Sequence, residues 1–111
     1  MVEIVAVTVD GTEKRKLVRA KDVSVLGIFL HDKSPDVAPG DLVRLRFPMD
    51  VGGTVIDVQG RVVRRVGPLD TADESLVGIG VEFVDVPPWA KQEIARYVEE
   101  GRWFQQRSSN G

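Results

Sequence analysis

Arginines and short polar residues are the side chains here whose spacing could do chemistry. Arg44 and Arg46 lie two apart, on one face of an expected strand, and Arg61, Arg64 and Arg65 lie on the next strand. Such neighbours can form a basic stripe for a phosphate or an acidic partner, or a solvated outer face with opposite charges nearby. Arg15 and Arg19 are four apart; on a strand they share a face about 13 Å apart. Asp22-Val23-Ser24-Val25-Leu26-Gly27 sets two short polar side chains ahead of a glycine. In a turn such side chains hydrogen-bond backbone. Gly27 would then sit at a bulge with positive φ, or let another group approach closely.

Other chemistry is poorly supplied. The chain contains no cysteine, which excludes disulfides, Cys-based zinc sites, iron–sulfur clusters and thiol nucleophiles. His31 is the single histidine and reads as a surface-loop residue, because no second histidine can complete a metal site or triad. Glu82 and Asp85 could be imagined as a hydrolytic carboxylate pair, but neither has an apolar pocket to raise a pKa. No catalytic residues and no cofactor are expected. Trp103 and Phe104 fall where the chain turns polar; they read as a fold-back contact or as an apolar patch for a partner. Trp89, beside Pro88, is expected to seat a helix on the rest of the fold.

These groups need a scaffold, and 111 residues predict one domain. Fifteen Lys+Arg against seventeen Asp+Glu leave a net charge of −2, which argues against a nucleic-acid-coating protein. Four Phe, two Trp and one Tyr are too few for base-stacking platforms. No apolar run is long enough to span a bilayer, and no signal peptide is apparent, so a cytoplasmic setting is the simplest expectation.

The apolar period is mostly two. It predicts strands over Val2–Val9, Leu17–Ser24, Ile28–Leu30, Leu42–Phe47, Thr54–Val66 and Leu76–Val84. Asp10-Gly11 reads as a hairpin turn, Pro48–Gly53 as a turn and Gly67–Glu74 as a loop. Gly60 is expected to mark a bulge or bend. Val43, Leu45 and Phe47 should point inward, as should Val77, Ile79, Val81 and Phe83. After Asp85 the period changes: Ala90, Ile94, Tyr97 and Val98 recur at helical spacing between Pro87-Pro88 and Gly101. The prediction is all-β with a terminal helix: a small six-stranded antiparallel β-barrel capped by a C-terminal α-helix over residues 1–101, followed by a polar tail at 102–111.

This layout resembles the PilZ domain family. Asp22-Val23-Ser24-Val25-Leu26-Gly27 matches that family's (Asp/Asn)-x-Ser-x-x-Gly. Ile28-Phe29-Leu30, the Pro39-Gly40 turn, Gly60-Arg61-Val62-Val63 and Val77-Gly78-Ile79-Gly80-Val81-Glu82-Phe83 come next in order, so the likeness covers about residues 1 to 100. The six-residue pattern alone arises by chance; set in this run of strands it gains specificity. The resemblance implies a split-barrel-type fold and a bacterial, non-enzymatic signalling module that binds cyclic di-GMP and acts through protein contacts. Asp22, Ser24 and Gly27 would contact guanine and phosphate. The family's Arg-x-x-x-Arg, which clamps phosphates and guanines, lies before the first strand; here only Met1 precedes Val2. Arg15 and Arg19 spell that pattern on the hairpin and second strand and are the candidates to replace it. The alternative is a degenerate adaptor that binds no nucleotide and meets only a protein partner or adjoining domain.

Overall fold

The computed structural model describes residues 2–7, 13–48 and 55–100. Six strands form there: β1 (Val2–Val7), β2 (Glu13–Val23), β3 (Gly27–His31), β4 (Leu42–Pro48), β5 (Val55–Val66) and β6 (Gly78–Val84). A single helical turn (Glu74–Leu76) precedes β6, and α1 (Pro88–Glu100) comes after it. Every paired neighbour is antiparallel, and the strands close in the order β1-β2-β3-β6-β5-β4.

Alternation explains which face is buried. Val43 and Leu45 are inside and Leu42, Arg44 and Arg46 outside, as the period of two requires. Val77, Ile79 and Val81 are buried, and Phe83 packs against the core at its margin. One inward row runs Val23, Ile28, Val81 and Val62 across four strands, and all four are buried. The side chain of Phe47, the Asp10-Gly11 and Pro48–Gly53 turn expectations beyond Pro48, and everything from Gly101 onward lie outside the described residues.

The helix begins on Pro88, where a missing N–H leaves no bond unmade. Ala90 and Ile94 are fully buried and Val98 packs against the same cluster, so one helical stripe covers the barrel core. Trp89 departs from expectation. It is 53% exposed, and the inward stripe that starts at Ala90 leaves it on the outer side of the first turn. The chain reaches the helix through Asp85, which takes a left-handed φ of 53°.

Other boundaries shift for local reasons. Leu76 closes the short helical turn, whose first N–H groups are capped by Asp73, so β6 starts at Gly78. Gly60 marks no bulge: its register with Val43 and Phe83 is unbroken. It is glycine because a Cβ there would lie 2.3 Å from Val81 Cγ1. The real irregularities fall between Ala20 and Asp22 in β2 and between Val62 and Arg64 in β5. Each inserts an extra residue and re-aims the side chains beyond it.

Candidate functional site

The two bulges flank one patch of the outer barrel wall. After its bulge, β2 puts Asp22 opposite Phe29; Phe29 pairs with Gly80, and Gly80 with Arg64 beyond the bulge of β5. Asp22, Phe29, Gly80 and Arg64 therefore form one cross-strand row. They line a shallow depression of about 310 Å³ together with Ser24, Gly27 and Val63. That volume is at the small end for ligand pockets.

The side chains in this depression differ in how far their bonding capacity is used. Ser24 is committed to its turn: its Oγ accepts from the Leu26 and Gly27 N–H groups, each at 3.2 Å, and its own N–H donates to Gly27 O at 2.9 Å. The backbone-turn reading of Ser24 is thus the one its geometry matches. Asp22 shares none of this. Its exposed carboxylate has no hydrogen bond or ion pair with any described residue. Four lone-pair sites on an ionised carboxylate accept only, so they suit a ligand edge that carries donors. Gly27 departs from the positive-φ expectation; a Cβ there would stand 2.3 Å from Val81 O, so close passage of β3 past β6 demands the glycine.

Sequence spacing places Arg64 only in a basic stripe. In the structure its Cζ lies 5.1 Å from the Phe29 ring centroid, within cation–π range. Phe29, Val63 and Gly80 line the depression beside Asp22, a grouping that sequence reasoning misses. The signal that joins them is the strand order β3-β6-β5 with the Val62/Arg64 bulge, and neither can be read along the chain.

The remaining arginines have other surroundings. Arg44 Nη2 meets Asp57 Oδ2 at 2.7 Å, Arg46 Nε meets the same oxygen at 3.6 Å, and Arg61 Nη1 meets Glu82 Oε1 at 3.8 Å. The stripe on β4 and β5 is a solvated face with opposite charges alternating. Arg65 Nη2 donates to Pro35 O at 3.0 Å, which anchors the 32–41 loop at the barrel rim. The bulge is why Val63, Arg64 and Arg65 are all exposed in succession.

Arg15 and Arg19 do not line the depression. Arg19 pairs with His31, one outward row from Asp22. Arg15 lies farther along β2, pairs with Glu13 at 3.4 Å and borders a second depression with Lys14, Lys16, Asp32 and Asp36. His31 is no loop residue: it ends β3, half-buried, with Nδ1 3.1 Å from Val77 O. That contact places the ring proton on Nδ1, since the carbonyl can only accept. Glu82 is tied to Arg61 and forms no carboxylate pair with Asp85. Among the described residues no group of three or more His, Cys, Asp or Glu is placed to hold a metal, and no helix is long and apolar enough to cross a membrane. Trp103 and Phe104 lie outside the described residues.

A closed six-stranded antiparallel barrel with one terminal helix places the chain among the small β-barrel domains. The PilZ domain family model matches residues 3–100, and the chain belongs to that family. PilZ domains are binding and adaptor modules related to cyclic di-GMP signalling, so the barrel, the helix and the family agree with the motif at Asp22. No curated protein matches the chain.

Proposed function

We propose that this PilZ domain is a cyclic di-GMP receptor module of the bacterial cytoplasm that acts on a protein partner or adjoining domain. The observation that carries the reading is the unpartnered Asp22 carboxylate, which sits with Gly27 and Phe29 in an open depression. Guanine offers N1–H and N2–H2 donors along one edge, which an acceptor-only carboxylate complements; adenine offers a mixed edge. Ser24 supports the site by shaping the turn after Asp22.

Isothermal titration with cyclic di-GMP, with GTP as control, tests the reading. Micromolar, selective binding that weakens about 10-fold or more in Asp22→Asn is the expected result, from the loss of a charged acceptor. Silence of the unmodified protein would overturn it.

A second reading is an adaptor that binds no nucleotide. It is supported by Leu26, 74% exposed, and by Val63, exposed at the depression. Such apolar side chains beside a groove suit a protein contact. Partner binding indifferent to added cyclic di-GMP would favour it.

A further inference from the structure

We propose that Arg64, given its path over β6 by Gly80, forms the second half of the guanine site, so that one base is shared by Arg64 and Asp22. This inference rests on the cyclic di-GMP reading above.

The bonding state of Arg64 is the first observation. Among Arg44, Arg46, Arg61, Arg64 and Arg65 on β4 and β5, the other four each reach an acceptor. The Arg64 donors meet no carboxylate or carbonyl among the described residues. The group is nonetheless held in place, because its guanidinium lies over the Phe29 ring. A planar fork already restrained by stacking loses less freedom when it takes a ligand.

Gly80 is the second, independent observation. A Cβ on Gly27, Gly60 or Gly78 would come within 2.3, 2.3 and 2.0 Å of a packed neighbour, so packing requires each of them. A Cβ on Gly80 would meet nothing closer than 3.5 Å, at Arg64 Cβ, with Phe29 Cδ2 and Val63 Cγ2 at 3.8 Å. Its φ is not in the left-handed region. Neither space nor backbone conformation demands glycine there. What glycine does is leave β6 low where the Arg64 side chain crosses it to reach the Phe29 ring.

The arrangement fits a base. The Arg64 side chain crosses Gly80 to lay its guanidinium over Phe29, the residue opposite Asp22, so the fork and the carboxylate serve the same stretch of wall. A guanine there offers its N1–H and N2–H2 donors to Asp22 and, along the adjoining edge, its O6 and N7 acceptors to Arg64, the pairing that an arginine fork makes with guanine.

Titration of the full chain with cyclic di-GMP tests this, using Arg64→Ala, Arg64→Lys, Gly80→Ala, Gly80→Leu and Asp22→Asn. Arg64→Ala is expected to weaken binding about 10- to 100-fold, from lost hydrogen bonds between a charged donor and the base. Arg64→Lys should restore little, because lysine keeps the charge without the two-pronged fork. Gly80→Ala should bind nearly as tightly as the unmodified protein, and Gly80→Leu should lose binding while its thermal melt stays cooperative. If Asp22→Asn weakens binding and Arg64→Ala does not, the Arg64 assignment is overturned and the receptor reading stands. Full rescue by lysine overturns edge recognition by the fork. If the unmodified protein does not bind, both fall together.

Discussion

Two aspartates on the same barrel lead opposite lives. Asp32 follows the end of β3, is 5% exposed, and has its carboxylate bonded on all sides. Lys16 Nζ lies 2.9 and 3.0 Å from its two oxygens, the Ser34 N–H donates to Oδ1 at 3.0 Å, and Lys16 also donates to Ser34 O at 2.7 Å. Asp22, near the far end of β2, is exposed and meets no described partner. Both carboxylates have basic side chains in their neighbourhood. The difference is that Asp32 is withdrawn from water and fully bonded, which makes it a tie for the 32–36 loop, whereas Asp22 keeps its acceptors available. An unused acceptor in water costs little to the fold, so it persists only loosely coupled to stability.

The widest gap should appear in paired alanine variants. Asp32→Ala leaves the Ser34 N–H without its acceptor and takes from Lys16 its nearest carboxylate, and is expected to lower unfolding free energy by about 1–3 kcal/mol. Asp22→Ala should change it by less than about 0.5 kcal/mol, the usual range for an unpartnered surface residue. Urea unfolding of both measures the gap; equal values would erase the distinction between tie and site.

A second pair of substitutions sharpens the contrast within the depression. Gly27→Ala drives a Cβ into Val81 O and must part β3 from β6, with an expected loss of about 1–3 kcal/mol. Gly80→Ala adds a Cβ at ordinary contact distance and should stay within about 0.5 kcal/mol of the unmodified protein. Thermal melts of the two distinguish a glycine that packing requires from one that it does not; a Gly80→Ala protein as unstable as Gly27→Ala would give both a packing role.

The smallest effect concerns a third aspartate. The Ser75 side-chain and backbone donors hold the Asp73 carboxyl below its ordinary value of 3.8, outweighing a slight opposing push from burial. A pKa lower in the folded than in the unfolded chain stabilises at pH values above the unfolded one, and the gain disappears as pH falls through the folded value. Asp73→Ala should therefore melt slightly below the unmodified protein at about pH 6, and the two should converge as pH falls below the ordinary value and through the folded one. A gap that widens on acidification would reverse the sign.

Legibility along the chain is confined to whatever depends on near neighbours. The alternation at Val43–Leu45 and Val77–Val81, the helical stripe of Ala90 and Ile94, and the Asp22–Gly27 motif are all local patterns. They lead to a six-stranded barrel with a terminal helix, and the structure has that form. Gly60 misleads because a strand glycine can serve either a bulge or a tight packing contact, and only Val81 across the barrel decides between them. The row that joins Asp22 to Arg64 is hidden for a related reason. It depends on β6 passing between β3 and β5, and on two bulges that break the period of two at Ala20/Asp22 and Val62/Arg64. Sequence spacing points instead to Arg15 and Arg19, which the strand carries away from the depression.

Closure of the sheet has a consequence for how a partner could engage this domain. Each of these six strands is hydrogen-bonded on both sides, β1 joining β2 to β4, so among the described residues the sheet has no free edge strand. An incoming peptide has no edge strand of this barrel to extend, and neither has a second barrel, which removes the usual template for runaway edge-to-edge association. What the described barrel presents instead is side chains on its wall, the outer face of α1 and the loops at its rims.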